Sequence, residues 1–203
     1  MKEKHNQASS WFNELYEKHK DNHENIPWAR QAVNPLLESY LVDKTQTHKG
    51  RALVVGCGLG DDAHALELAG YDVLAIDVAE VALELAQNRS KDSSIRYEKQ
   101  DIFDMPQKYK GYFDFVFEAL TIQSLPVEFR EKMIKAIEEV VAPGGKLLVV
   151  AHKQENQFVG PPWPLTQDEI DLFKSTGLKE LDFEIHEEES KISHKRFRVL
   201  YQK

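Results

Sequence analysis

Three glycines and two acids follow directly on an apolar run in Leu53-Val54-Val55-Gly56-Cys57-Gly58-Leu59-Gly60-Asp61-Asp62. A glycine-rich turn between a strand and a helix lets the backbone approach a ligand closely, and the helix N-terminus offers unpaired N–H groups. Such a turn suits a nucleotide-like ligand. The spacing is G-x-G-x-G, so the third glycine arrives one residue early for the dinucleotide fingerprint G-x-G-x-x-G. Asp61 and Asp62 stand where a pyrophosphate would have to rest. A ligand with a positive charge and no phosphate answers both departures better than a nicotinamide dinucleotide does.

S-adenosylmethionine is a ligand of that kind, with a ribose, an adenine, an amino-acid end and a sulfonium. Asp77 lies 77 − 56 = 21 residues after the first glycine, near the offset of about 20 at which an acid accepts hydrogen bonds from ribose hydroxyls. Asp101 is placed to accept from the adenine amino group, with Ile102 and Phe103 as apolar contacts to the base. Glu118 follows the fourth strand candidate, at the carboxyl edge where ligands of open α/β sheets bind. Each has a plainer reading beside this one. Asp77 fits a solvated strand end, Asp101 a turn former and Glu118 a surface acid. Their joint position after successive strands favours one ligand-binding edge.

The elements that must position these residues alternate along the chain. Strand candidates are 51–55, 71–76, 95–98, 113–117 and 146–151, with helix candidates 62–69, 81–88 and 128–140 between them. Ala142-Pro143-Gly144-Gly145 ends the last helix and turns the chain into the next strand. Thr166 with Glu169 reads as a capping box opening a short helix to residue 173. Strands at 181–186 and 197–201 follow, joined by a polar stretch too short for a parallel crossover. The expected fold is therefore α/β: a Rossmann-like, doubly wound, seven-stranded mixed sheet ending in an antiparallel hairpin. Residues 1–45 read as a helical lead-in over the ligand site, and residues 46–203 as the main domain of one compact whole.

Composition narrows the function. The chain has 203 residues, 41% of them hydrophobic and 30% charged, enough for one sizeable core without disulfides or metal. No apolar run approaches the ~18 residues of a spanning helix, and the polar start lacks a signal-peptide core. The single cysteine, Cys57, excludes an internal disulfide and a multi-cysteine zinc site and fits a reducing cytoplasm. No metal is expected. The net charge of -8 opposes binding to a phosphate backbone, so the expected partner is a small molecule rather than nucleic acid or membrane. The oligomeric state is not encoded in these features.

With those residues in view, the sequence resembles the class I S-adenosylmethionine-dependent methyltransferases from about Trp28 to Tyr201. The segment from Arg51 to Ala63 is most similar to the branch of thiopurine, thiol and halide methyltransferases, which often reads V-P-G-C-G-x-G-x-D here. Val55 stands in place of that branch's proline. Glu14-Leu15-Tyr16 with Pro27-Trp28, and Gly160-Pro161-Pro162-Trp163-Pro164, are similar to segments that cover the cofactor and shape the acceptor pocket. The resemblance implies Gly56, Cys57, Gly58 and Gly60 against the methionine part and Asp77 with Val78 at the ribose. It implies Asp101, Ile102 and Phe103 at adenine, and Glu118 with Ala119 near the sulfonium. Trp28 would roof the cofactor, and Tyr16, Trp28 and Trp163 would line the acceptor pocket; all three tryptophans and tyrosines of that set also read as core or lid packing.

Methyl transfer from a sulfonium needs mainly positioning and desolvation from the protein. A thiol acceptor carries a few per cent of thiolate at neutral pH and needs no base. An alcohol or amine would need one, and His152, just after the fifth strand candidate, is the candidate; a structural hydrogen bond is its plainer role. His19 and His23 are explained by the lead-in. Cys57 sits between glycines where a small side chain is required, and is not read as a nucleophile. The expected function is methyl transfer to a small molecule, a thiol or other soft nucleophile. The alternatives are a non-catalytic binder of the same cofactor and a methyltransferase on a macromolecule. Residues 118–121 lack the Asn-Pro-Pro-Tyr type of motif of many base methyltransferases.

Overall fold

The structure is a computed structural model, and it describes residues 2–20, 22, 26, 29, 31–42, 49–155, 160–188 and 194–203. Of the residues singled out in the sequence, Pro27, Trp28 and His23 lie outside the described residues. The chain order is α1 (Lys2–Lys18), α2 (Pro35–Leu41), β1 (Gly50–Val55), α3 (Asp61–Leu68), β2 (Tyr71–Asp77), α4 (Glu80–Arg89), β3 (Arg96–Lys99), β4 (Phe113–Ala119), α5 (Arg130–Val140), β5 (Val141–His152), α6 (Gln167–Ser175), β6 (Lys179–Glu188) and β7 (His194–Gln202). The strands form one seven-stranded sheet in the order β3-β2-β1-β4-β5-β7-β6. β1, β2 and β3 run parallel to one another, and β4 runs parallel to β5. β7 is antiparallel to both β5 and β6. The mixed sheet with its closing hairpin is the architecture expected from the sequence.

By contact density the chain falls into two compact units, residues 1–104 and 105–203. In the first, β1 carries four successive buried residues, Ala52 to Val55, the run expected of a strand covered on both faces. The lead-in packs within this unit. Tyr16 and Ile26 join Leu59, Ala79 and Ala82 in one apolar cluster, and Asn13 Oδ1 accepts from the Val81 N–H at 3.3 Å. α2 starts where Asn34 caps it, its side chain accepting from the Leu36 N–H at 3.0 Å, with Pro35 in the first turn.

In the second unit, Phe113, Phe115 and Phe117 of β4 and Leu147 to Ala151 of β5 are fully buried. Phe173 of α6 stacks on Tyr201 of β7 at 5.2 Å between ring centroids, and the Tyr201 hydroxyl donates to the Ile170 carbonyl at 2.9 Å. α6 opens with the expected capping box: the Thr166 N–H donates to Glu169 Oε2 at 2.8 Å and the Glu169 N–H to Thr166 Oγ1 at 3.2 Å.

Among the boundaries that differ from the sequence expectation, two have a local cause. The helix read from residue 128 starts at Arg130, because residues Val127–Phe129 form a tighter 3-10 turn behind Pro126. β5 begins at Val141 rather than after the glycines. Val141 already pairs with Phe113, and the ladder resumes at Phe115 with Lys146, so Ala142 to Gly145 form an irregularity inside the strand pair. Gly145 is required there: a Cβ would meet the Phe113 carbonyl oxygen at 2.8 Å and that of Ala142 at 2.9 Å. The chain end closes over this kink, with Gly144 N–H donating to Lys203 O at 2.8 Å and Lys203 N–H to Gly145 O at 3.0 Å.

Candidate active site

The candidate residues fall into a group in each unit. In the first unit the turn after β1 is tied to the end of β2. The Cys57 N–H donates to Ile76 O at 2.9 Å, and the Gly58 N–H to Asp77 Oδ2 at 2.9 Å. Asp77 Oδ1 accepts from the Ala79 N–H at 2.9 Å. Backbone N–H groups therefore hold both carboxylate oxygens, and the residue is half-buried. Burial pushes the Asp77 carboxyl upward, against the pull of the N–H groups of Ala79, Gly58 and Val78.

Two glycines of the turn are required by space as well as by backbone. Gly58 has φ +51 and a Cβ there would stand 3.0 Å from the Tyr16 hydroxyl; Gly60 has φ +82 and a Cβ would meet the Tyr97 hydroxyl at 2.6 Å. Tyr16, expected at the acceptor pocket, thus lies against the glycine turn, 3% exposed in the unit's core. Cys57 is buried, and desolvation, then the Asp77 carboxylate, pushes its thiol well above the ordinary range. A thiol held protonated is no nucleophile.

The acids after the turn need a correction. The sequence expectation that Asp61 and Asp62 call for a cationic ligand meets a structure in which the fold itself engages both. Arg89 grips Asp61 with both arms, Nη2 to Oδ1 at 2.6 Å and Nη1 to Oδ2 at 3.0 Å, while Nη1 also donates to Leu59 O at 2.8 Å. Asp62 Oδ1 accepts from the Asn34 N–H at 2.7 Å. Acids in a first helical turn are favoured by the helix dipole, so their presence there says nothing of a ligand's charge.

After β3, Asp101 Oδ1 accepts from the Phe103 N–H at 2.9 Å, the turn-forming role named as its plainer reading. Ile102 is buried and Phe103 half-buried. The Gln100 N–H donates to Asp77 O at 3.1 Å, which links this turn to the end of β2.

In the second unit β4 ends at Glu118 and Ala119, and Leu120 adopts φ +65, a left-handed conformation costly for a branched side chain. That reversal brings the chain back over Glu118, whose Oε1 accepts from the Ile122 N–H at 2.8 Å. Glu118 is fully buried, and Oε2 has no partner among the described residues. Desolvation pushes its carboxyl up to about 7, opposed by the N–H groups of Ile122 and Thr121 and by the Arg130 charge.

Sequence reasoning missed Gln123 and Arg130. Gln123 is 1% exposed; its Oε1 accepts from the His152 N–H at 2.7 Å and its carbonyl from the Trp163 N–H at 2.7 Å. Arg130 is 2% exposed and donates through Nη2 to Trp163 O at 3.1 Å, with Glu169 Oε1 3.8 Å from Nε. One signal was available: a cation in the first turn of α5 opposes the helix dipole. His152 is half-buried at the end of β5, and its carbonyl accepts from the Leu165 N–H at 2.9 Å. Among the described residues no group of three His, Cys, Asp or Glu gathers as metal ligands would, and no helix is long and apolar enough to cross a membrane.

A glycine turn whose positive φ angles and close packing exclude larger residues, tied to a half-buried carboxylate, fits the ribose and methionine parts of S-adenosylmethionine. The architecture is that of the S-adenosylmethionine-dependent methyltransferases. The chain resembles magnesium protoporphyrin IX methyltransferase (ChlM) of Synechocystis PCC 6803, solved with bound SAH, at TM-score 0.76 and 14% identity, covering 97% of this chain and 99% of that one. Residues 13–199 match the thiopurine S-methyltransferase (TPMT) family, and the chain belongs to that family. It is similar to thiocyanate methyltransferase 1 of Brassica oleracea, 28% identical over 163 residues that make up 78% of this chain and 71% of the relative. The enzyme of the same name from Arabidopsis thaliana is 31% identical over 142 residues, 68% of this chain and 61% of the relative. The chain thus spans between 61% and 71% of the length of these two relatives.

Proposed function

We propose that this methyltransferase transfers the S-adenosylmethionine methyl group to the sulfur of a small, soft acceptor such as a thiol or a thiocyanate-like anion. Family membership over residues 13–199 is the observation that carries the reading, together with relatives named for thiocyanate. The cofactor when bound supplies an activated methyl on a sulfonium, so the chain's own part is to bind, orient and exclude water.

In this reading the glycine turn at Gly56, Cys57, Gly58 and Gly60 faces the methionine end, and Asp77 with Val78 takes the ribose hydroxyls. Asp101, Ile102 and Phe103 face adenine, and Glu118 with Ala119 stand near the sulfonium. The contact of Tyr16 with the glycine turn supports a cofactor-side place for it, while Trp163 borders the acceptor. An acceptor thiolate would take the methyl that the bound cofactor supplies, and a thiol acceptor would first give its proton to water, so no base is asked of the chain. His152 serves as base only for an acceptor that must lose a proton at the site. The lone, buried Cys57 supports a cytoplasmic location, and the net charge of -8 supports a small-molecule partner over nucleic acid.

Calorimetry with S-adenosylmethionine, followed by turnover assays with thiocyanate, hydrosulfide and thiophenol, tests the reading. Micromolar binding with turnover of at least one sulfur acceptor is expected. Tight binding with no turnover across such a panel would point instead to a binder without catalysis.

A further inference from the structure

Trp163 has both of its backbone polar groups held by residues far from it in sequence. Its N–H donates to Gln123 O at 2.7 Å, and its carbonyl accepts from Arg130 Nη2 at 3.1 Å. The chain just beyond is stitched to the end of β5. Leu165 N–H donates to His152 O at 2.9 Å, Gln154 N–H donates to Leu165 O at 2.8 Å, and Lys153 pairs with Leu165 as an isolated parallel bridge. The Gln123 side chain closes the loop by accepting from the His152 N–H at 2.7 Å. On the near side, Gly160 lies against the indole: a Cβ there would come within 2.5 Å of the Trp163 ring.

Two features argue that this arrangement fixes position rather than adding stability. Arg130 is buried with its Nε and Nη1 lacking hydrogen-bond partners among the described residues, and Glu169 stands 3.8 Å from Nε. A guanidinium so placed costs desolvation that one bond to a carbonyl does not return. Its neighbour Glu118 is in the same condition, with Oε2 unpartnered and Oε1 holding the turn that carries Gln123. A packed apolar side chain at residue 130 would cost less, but it could not hold the Trp163 carbonyl.

We propose that Gln123 and Arg130 are positioning residues that clasp the segment around Trp163, and that recognition of the methyl acceptor runs through this segment. The acceptor half rests on the placement of Trp163 proposed above; the clasp itself does not. Gln123 holds the N–H side of Trp163 and anchors on His152. Arg130 holds the carbonyl side, and Glu118 and Glu169 are the charged groups that face it. Neither residue touches a reacting atom. Their loss therefore changes how well the acceptor is held and leaves cofactor binding as it was.

The test compares Arg130→Met, Arg130→Lys and Gln123→Met in the full chain. Amide hydrogen exchange at Trp163 and Leu165 reads the clasp directly, calorimetry reads the cofactor, and the acceptor KM is taken with whichever of thiocyanate, hydrosulfide and thiophenol the parent protein turns over fastest. Expected are faster exchange in both Met variants, an acceptor KM raised about tenfold in Arg130→Met by the loss of one charge-assisted bond, and a smaller rise in Gln123→Met, which loses a neutral bond to the His152 N–H and keeps the backbone carbonyl that holds Trp163. The cofactor Kd stays within about twofold, and Arg130→Lys restores part of the effect by keeping a donor. The two Met changes combined do little more than either alone, because both act through one segment. Unchanged exchange overturns the clasp. Faster exchange with an unchanged KM overturns the acceptor half, and turnover of none of the three acceptors overturns the acceptor reading on which that half rests while the exchange result still decides the clasp.

Discussion

Burial pushes the Glu118 carboxyl up to about 7 from its ordinary 4.5, against the N–H groups of Ile122 and Thr121 and the Arg130 charge, and this makes the residue contribute to the pH dependence of stability. The folded chain binds this proton more tightly than the unfolded one does. The contribution is therefore fully present below pH 4.5 and is lost as pH rises through about 7. The shift amounts to about 3 kcal/mol at most. Glu118→Gln retains an acceptor for Ile122 and carries no charge, so its urea midpoint should fall less than the parent's between pH 5.5 and 8.5, values chosen to bracket the transition by about 1.5 units on its upper side. Equal declines in the two proteins would remove Glu118 as a cause. Asp77 is shifted in the same direction by burial, but backbone N–H groups hold both of its carboxylate oxygens. Asp77→Ala should weaken S-adenosylmethionine binding by about 1–3 kcal/mol in calorimetry, and unchanged affinity would take Asp77 out of the site.

The glycine turn works as an element because three others fix it: β2 through Asp77, α4 through Arg89 and β3 through Tyr97. Gly60→Ala asks an L residue to hold φ +82 with the Tyr97 hydroxyl 2.6 Å from its Cβ. The expected cost is about 1–3 kcal/mol in unfolding free energy. Tyr97→Phe in the same chain should recover part of it by removing the hydroxyl in the way. A cost untouched by Tyr97→Phe would assign the whole effect to backbone strain. At the far end of the sequence, Thr166→Ala removes one half of the α6 capping box and should cost about 1 kcal/mol, read as a lower denaturant midpoint at an unchanged slope.

For the molecule as a whole, a cofactor that binds only the folded chain must stabilise it. At about 100 times its Kd, S-adenosylmethionine should add about 2.7 kcal/mol, which raises the melting temperature of a chain of 203 residues by roughly 5–10 °C. NAD at the same concentration should leave the melting temperature where it was. A rise with NAD and none with S-adenosylmethionine would contradict the family's cofactor. The net charge of -8 adds nothing to this expectation, because the acids nearest the turn, Asp61 and Asp62, are already engaged by Arg89 and by the Asn34 N–H.

The sequence by itself determined the order of strands and helices, the closing hairpin and the glycine turn with Asp77 behind it. Those features are local: apolar period, capping pairs, turn residues and the shortness of the last connection act within a few residues and leave a readable pattern. Only the tertiary structure decided what the charges do. Asp61 reaches Arg89 across 28 residues, Arg130 reaches Trp163 across 33, and Gln123 reaches His152 across 29. Neither Gln123 nor Arg130 has its partner within a helical turn or a hairpin of it, so no local pattern marks these contacts. Their burial follows from how α5 and the end of β5 pack, which is a property of the folded core and of no short stretch of chain.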